Sequence, residues 1–506
     1  MRIFITILLV SLSQVFAQSY FPLLAPEMMA SDSASHSSLR IFNEEIPENL
    51  SFSWQNKSLL VAPLLESTAY GELSESEFPY NINAGFGLFC SPIKKLNITA
   101  SLLGGVLDFP TYIANQYDTS AYFPGTTNLL QSTDHSSLLS PTIDISYQIS
   151  DVFSVHTGNS KVFLGEGYRS LFLSDQGANA PDLSLKIDLV KVQYLYRLQA
   201  EQQDYTGFGQ KKYSAFHYLS WNFLKRWNIS LFEAVTWQNA DSIRPRGMEW
   251  TYLNPVLFFR PAEFAIGSPD NMLVGGGISY RFGKKTTVYT QVLLDEFFID
   301  EWKNWIKHSL HPNDTTVPYG AWVNKQAFQL GIKSFDIAGL EGLSAIGEFN
   351  FVRPYTYSHV NPLNSYSHNN QPLAHPFGAN FFEVLLRFDY QNDKWHFISH
   401  SFFKRTGYDT PVSHYGQNIL LSTFDSPRGN NIPVAYYGNV VGQGIPVRVL
   451  HNSIEVRYKL YLSENPVWLR VGTTLRSENI QDVKNSYLSI FLGILLNMQG
   501  KEYLQR

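Results

Sequence analysis

The chain has a single cysteine, Cys90, in 506 residues. An internal disulfide and a thiolate metal site are therefore excluded, and Cys90 is expected to act as a small buried or lipid-adjacent hydrophobe. After the N-terminus no run of 18 apolar residues occurs, which excludes helical membrane spans. Charge is scarce as well. Charged residues make up only 16%, with 38 Lys+Arg against 43 Asp+Glu. The formal net charge of -5, near neutral for this length, gives no support to nucleic-acid binding. No GxSxG elbow, HExxH pair or Walker loop is present. His396 and His400 would share a strand face, but four positions separate them by roughly 13 Å, too far for one metal. Adjacent Asp295 and Glu296 would point to opposite faces of a strand, which speaks against a catalytic carboxylate pair. Neither an enzyme nor a cofactor is expected.

Aromatic residues are abundant instead: 29 Tyr, 36 Phe and 10 Trp, together 15% of the chain. Such an excess fits the interfacial girdles of a membrane barrel. The mean hydropathy of -0.15 is compatible with one, because alternation averages the hydropathy of each strand. Met1-Arg2, the apolar run Ile3 to Val10 and Val15-Phe16-Ala17 before Gln18 read as a cleavable secretory signal, residues 1–17. No cysteine follows that site, so a lipoprotein anchor is not expected. Residues 18–75 alternate poorly and are rich in Ser, Pro and Glu. They read as an extension before the barrel: a plug, a short helix or a tether. The barrel is expected over residues 76–500, with a tail at 501–506 that lacks the terminal aromatic of a barrel assembly signal.

The clearest strand pair runs from Ser453 to Arg476. Ile454, Val456, Tyr458 and Leu460 alternate with Ser453, Glu455, Arg457 and Lys459. After a turn at 463–466, Val467, Leu469, Val471 and Leu475 alternate with Trp468, Arg470, Gly472, Thr474 and Arg476. Strand side chains point to opposite faces at period two, so this hairpin has one oily and one charged face. The same pattern recurs at Ile82 to Leu102, 143–149, 185–199, 217–238, 273–295, 326–335, 342–352, 381–404 and 487–496. Short turns alternate with long polar connections at 107–140, 239–271, 297–322, 353–379 and 406–447. That asymmetry belongs to outer-membrane barrels, and about 16 to 18 antiparallel strands are counted, an even number being expected. The predicted class is all-β, a transmembrane barrel with short periplasmic turns and long extracellular loops.

Parity places Gln291, Asp295, Gln329, Lys333, Glu348, Asn350, Glu383, Arg387, Asp389, His396, His400 and Lys404 on the non-lipid face. Both signs of charge occur there, which predicts cross-barrel ion pairs that narrow or fill the lumen rather than a single-sign pore. Glu233 breaks the rule, falling in phase with Leu231, Val235 and Trp237. Either a β-bulge near Phe232 shifts the register, or Glu233 lies above the hydrocarbon band. Among the loops, Tyr355 to His359 and Asn361 to Asn370 combine aromatics with amides and His. Aromatic faces stack on sugar rings while amides bond hydroxyls, so a carbohydrate surface competes here with a solvated loop or a girdle.

Several phrases resemble the capsule-assembly Wzi-type outer-membrane proteins, and more closely the RemB-like gliding motility proteins of Bacteroidetes. They are Asn159 to Asp175 (NSKVFLGEGYRSLFLSD), Tyr252 to Glu263 (YLNPVLFFRPAE), Gly267 to Asn271, Tyr289 to Glu296 (YTQVLLDE), Glu348 to His359 (EFNFVRPYTYSH) and Gln371 to Glu383 (QPLAHPFGANFFE). The resemblance implies an 18-stranded barrel in a Gram-negative outer membrane, with membrane lipid as its surroundings. It implies either a surface lectin that anchors capsular polysaccharide, or a gliding and adhesion accessory that holds motility or secretion-machinery proteins. A diffusion channel is the remaining alternative. Candidate ligand-binding residues within the phrases are Arg169, Asn254, Asp270, Asn271, Gln291, Asp295, Glu348, Arg353, Tyr355, His359, His375, Asn380 and Glu383. Pro354, Pro372, Pro376 and Gly378 around them favour a fixed loop fold, and with it a structural role for most.

Overall fold

A computed structural model describes residues 38–40, 52–54, 57–72, 78–117, 125, 129–131, 136–204, 209–240, 245–255, 270–296, 299–311, 314, 318–410, 413–423, 436–462 and 465–496. The proposed signal (1–17) and tail (501–506) lie outside them. Eighteen antiparallel strands close into a barrel. The first six are β1 (Lys57–Glu72), β2 (Tyr80–Ile93), β3 (Leu96–Leu107), β4 (Ser136–Gln148), β5 (Phe153–Gly158) and β6 (Asp182–Asp188). Next come β7 (Val192–Asp204), β8 (Gly209–Leu224), β9 (Trp227–Gln238), β10 (Asn271–Phe282), β11 (Thr286–Glu296) and β12 (Lys325–Phe335). The last six are β13 (Leu343–Val352), β14 (Phe381–Gln391), β15 (Trp395–Tyr408), β16 (Ile445–Leu462), β17 (Asn465–Ile480) and β18 (Val483–Leu496). Closure is made by β18 on β1, from Ser489 opposite Glu72 to Leu496 opposite Leu65. β1 falls within the stretch read from sequence as an extension, so the first long strand of the barrel starts at Lys57 rather than at 76, with Phe52–Trp54 paired to its beginning. The apolar run Leu59 to Leu65 hides its period, and only Glu66, Thr68, Tyr70 and Glu72 alternate inward in a recognisable way.

The connections sort by length. Lys94-Lys95, Lys225-Arg226 and Gly283-Lys284-Lys285 make tight turns at one end, with Gly283 in the left-handed region at φ +59°. The connections 108–135, 159–181, 239–270, 297–324, 353–380 and 409–444 all leave from the other end. No helix among the described residues is long and apolar enough to cross a membrane. Apolar side chains cover the outer wall instead: Ile82, Phe86, Ile143, Leu330, Ile332, Leu386, Ile454, Val471, Leu475 and Ile490 are all exposed. Cys90 lies on that face, half-exposed, in phase with Ile82 and Phe86. Aromatic pairs ring the short-turn end, among them Trp227–Tyr280 and Trp395–Tyr458, both with centroids 4.6 Å apart.

Glu233 does not sit on a bulge. The β8–β9 register is unbroken from Lys212–Gln238 to Trp221–Ile229, and the one irregularity lies between Trp221 and Leu224. Glu233 therefore shares the outer face with its strand neighbours His217 and Val274. Protein, not lipid, covers it. The connection after β9 folds back down the outer wall, where a short 3-10 turn (Trp250–Leu253) packs on Tyr196, Leu198, Val235 and Trp237. Tyr196 donates to Tyr252 O at 2.8 Å and Tyr194 to Pro255 O at 2.5 Å. Asp270 anchors the fold-back, accepting two bonds from Arg246 at 2.6 and 2.7 Å and one from the Tyr252 hydroxyl at 2.8 Å.

Candidate functional site

The connection between β5 and β6, residues 159–181, does not leave the barrel. It turns into the lumen as a strap, and Phe163, Leu164, Ser170, Leu171 and Phe172 on it are fully buried. Two glycines let its backbone approach the wall. Gly165 stands at φ +142°, and a Cβ on Gly167 would lie 2.1 Å from Glu348 Oε1. The strap docks through polar groups that the strands supply from their inner face. Glu348 on β13 accepts from Tyr168 N at 2.5 Å, Arg169 N at 3.1 Å and the Tyr289 hydroxyl at 2.6 Å. Gln291 on β11 accepts from Leu171 N at 3.1 Å, and Gln329 on β12 donates to Arg169 O at 3.0 Å. Lys333 on β12 donates to Glu166 O at 3.0 Å and to its carboxylate at 2.7 Å.

Arg169 carries the largest buried charge of the strap. Its guanidinium meets Glu383 of β14 at 3.3 Å, both side chains wholly buried. Glu383 is further bonded by Asn350 at 3.0 Å and His375 at 2.9 Å. Burial pulls the His375 ring down to about 4, so it is neutral when it meets Glu383. Tyr168 lies between two guanidinium groups, Arg169 at 5.0 Å and Arg387 at 5.4 Å from its ring centre. The apolar side of the strap packs Phe172 on Phe232, stacked at 4.8 Å, in space left by Gly275.

The connection 353–380 closes over the strap. Tyr357 and Tyr366 donate to Leu171 O at 2.9 Å and Phe172 O at 2.7 Å, while Ser174 N donates to Leu373 O at 2.8 Å. Neither an exposed sugar-stacking surface nor a solvated loop, the alternatives weighed for 355–370, holds for its aromatics: Tyr355 is 2% exposed, Tyr357 and Tyr366 0%. Their rings fill the core and their hydroxyls satisfy strap and loop carbonyls, Tyr355 reaching His414 O at 3.0 Å. On the opposite flank a helix, α1 (Thr111–Tyr117), also lies inside. Glu72 accepts from Thr111 N and Oγ1 at 3.0 and 2.6 Å, and Tyr112 packs under Arg476 at 5.3 Å.

Of the sequence candidates, Arg169, Gln291, Glu348, His375 and Glu383 come together around the strap. Asp295 accepts from Tyr357 N at 2.8 Å at the edge of that group. Arg353, Tyr355 and Asn380 fix the covering loop: Arg353 donates to Asn324 O at 2.8 Å, and Asn380 to Gly407 O and Gln443 O at 3.0 and 2.9 Å. His359 accepts from Asn361 N at 3.0 Å within the same loop. Asp270 and the exposed Asn254 belong to the outer fold-back, away from the strap, and buried Asn271 opens β10 beside Thr236. Glu166 and Tyr168 escaped selection. Only the Gly-Glu-Gly spacing around Glu166 hints at their place. Mixed interior charge is present as expected, but its ion pairs run along the wall and from wall to strap. Examples are Arg470–Glu455 at 2.9 Å, Arg470–Glu66 at 3.6 Å and Lys333–Glu166 at 2.7 Å. An 18-strand lumen is too wide for side chains to bridge, so backbone fills it. Among the described residues no group of three or more His, Cys, Asp or Glu is placed to hold a metal.

Among the described residues at the long-loop end, Phe78 is 75% exposed and Tyr436–Tyr437 form an exposed edge-on pair at 4.8 Å, while Trp250, 85% exposed, belongs to the outer-wall fold-back. No family model matches the chain, and no curated relative is found. Solved structures do match. Wzi of Escherichia coli, an outer-membrane protein involved in group 1 capsule assembly and a carbohydrate-binding β-barrel, aligns at 11% identity with a TM-score of 0.52, over 86% of this chain and 85% of that one. OprD of Pseudomonas aeruginosa aligns at 10% identity and a TM-score of 0.45, over 87% and 92%. OccAB2 of Acinetobacter baumannii aligns at 10% and 0.43, over 87% and 97%. At such identity the Wzi match speaks for the fold alone, and the chain has the fold of an 18-strand outer-membrane-type barrel.

Proposed function

We propose that this protein is a non-enzymatic barrel of the outer membrane that holds surface or capsular polysaccharide at its long-loop mouth. The observation that carries the reading is the filled interior. Strap, α1 and the 353–380 loop occupy the space an open channel would keep free, which leaves the mouth as the working surface. The likeness in fold to a carbohydrate-binding barrel and the sequence phrases that resemble those of capsule-assembly proteins support the same reading. Tyr436 and Tyr437 supply exposed ring faces at that mouth of the kind that stack on sugars.

The test is binding of the purified protein to polysaccharide from its own cell surface, by pull-down or glycan array. Replacing Tyr436 and Tyr437 together by Ala is expected to weaken retention roughly five-fold or more, at about 0.5–1.5 kcal/mol per ring. No retention by the intact protein would overturn the reading. Gene deletion that abolishes motility and leaves the capsule intact would shift it to the gliding or adhesion role, with motility proteins as partners.

A further inference from the structure

On the outer wall near the long-loop end, Arg405 of β15 and Arg448 of β16 stand directly opposite each other, both exposed. The same outward row continues through Asn479 of β17 to exposed Lys484 of β18. Like charges placed directly across a sheet repel unless something of opposite sign lies between them. Among the described residues none of the three has a hydrogen bond or ion pair to supply it, and the nearest carboxylate in sequence, Asp482 of the adjoining turn, makes no ion pair either. The next row down holds Phe403 and Leu450 beneath the two arginines and Ser477 and Ser486 on the neighbouring strands, and the row after it Ser401 and Asn452 beside Leu475 and Leu488. Below them the face is apolar, with Ile454 and Ile490 exposed.

The height of the row identifies what surrounds it. Trp395 and Tyr458 face each other in the aromatic girdle at the short-turn end. Arg405 and Arg448 lie ten strand positions above them, about 34 Å along the strands. At a tilt near 40° that is about 26 Å along the barrel axis, the height of the apolar band of such barrels. The arginines thus meet the far membrane interface at the level of lipid headgroups. Directly beneath the arginines Phe403 and Leu450 begin the apolar wall that acyl chains cover, and Ser477 and Ser486 beside them suit the ester and sugar oxygens of the headgroup region.

We propose that Arg405, Arg448 and Lys484 form a docking row for the phosphates of an outer-leaflet phosphoglycolipid, whose acyl chains cover the apolar wall below. This rests on the outer-membrane placement proposed above. One phosphate between the two guanidinium groups takes paired hydrogen bonds from each and removes their repulsion. Lys484 then serves as a point charge for a second acidic group.

The experiment measures lipid retained by the full-length barrel in neutral detergent, by native mass spectrometry. The probes are purified lipid A, its dephosphorylated form and phosphatidylglycerol. Wild type is expected to hold lipid A and to lose it on dephosphorylation. The variant R405Q/R448Q is expected to bind about 25-fold more weakly, five-fold for each arginine near an anionic surface. Lys94→Gln, in a short turn at the other end, is expected to change nothing. Heat-modifiable gel migration checks that each protein is folded. A folded variant that binds as wild type does, or equal retention of dephosphorylated lipid A or of phosphatidylglycerol, would overturn the docking row and leave the barrel untouched. A chain soluble without detergent would instead defeat the membrane placement itself.

Discussion

Glu383→Leu is expected to destabilise the folded barrel by about 3–5 kcal/mol, because it strands the Arg169 guanidinium in a dry interior. Glu348, the other carboxylate acting on Arg169, is already engaged. Glu348 turns its oxygens to the backbone N–H groups of Tyr168 and Arg169 and to the Tyr289 hydroxyl. Asn350 and His375 lose their shared acceptor in the same step. The second half of the prediction separates a charge penalty from a packing defect. Adding Arg169→Met should recover most of the loss, since a buried pair replaced by apolar groups of similar volume is often neutral. The measurement is the urea midpoint for loss of the heat-modifiable band in the single and double variants. A silent Glu383→Leu would mean that the strap does not dock where it is described. A double variant as unstable as the single would place the cost in packing around Phe377, whose ring lies 5.3 Å from the Arg169 guanidinium.

Much of the barrel wall was legible because membrane strands repeat a two-residue period and short turns mark their ends. Glu455, Arg457, Arg470 and Arg476 point inward and Ile454, Val471 and Leu475 outward, as alternation requires. β1 was missed for a local reason: an apolar stretch with Pro63 inside it carries no period to read. Glu233 was read on the correct face, and of the two remedies offered for it the β-bulge is absent. Its phase depends on its own strand, whereas the chain at residues 250–255 that packs on the same outer wall leaves no periodic trace in the sequence. The strap is the deeper limit. Alternation states which side chains face the lumen and nothing of what lies inside it, so Glu348, Gln291 and Lys333 could be placed inward without a partner. Tyr357 and Tyr366 show the same ambiguity from the other side. An aromatic beside Ser, Asn and His suits a sugar platform and a buried ring with a satisfied hydroxyl equally well, and only the carbonyls of Leu171 and Phe172 distinguish the two.

Removing the strap is expected to turn a closed barrel into a conducting one. Gly158 and Asp182 are direct partners across β5 and β6, so the strap is an insertion in what would otherwise be a plain hairpin. Residues 161–180 can therefore be replaced by a short Gly-Ser link with little change in the wall, because a hairpin closes in two to five residues. The excision takes away Glu166, Arg169 and Phe172 together. Lys333, Glu383 and Gln291 are left facing an emptied lumen that water can enter. Hydration then offsets much of the cost of unpairing them, unlike Glu383→Leu, where the strap stays and water is kept out. The 353–380 loop loses its floor too, since Tyr357 and Tyr366 no longer find the carbonyls of Leu171 and Phe172. Barrels of 16–18 strands with a clear lumen carry an aqueous channel, so single-channel steps on the order of a nanosiemens should appear in planar bilayers. Wild type should show none, and neither should the Arg169→Met/Glu383→Leu double variant, which keeps the strap seated. A folded, strap-less barrel that stays silent would assign the closure to α1 and the 353–380 loop, and the strap would then be a brace for that loop instead of the plug.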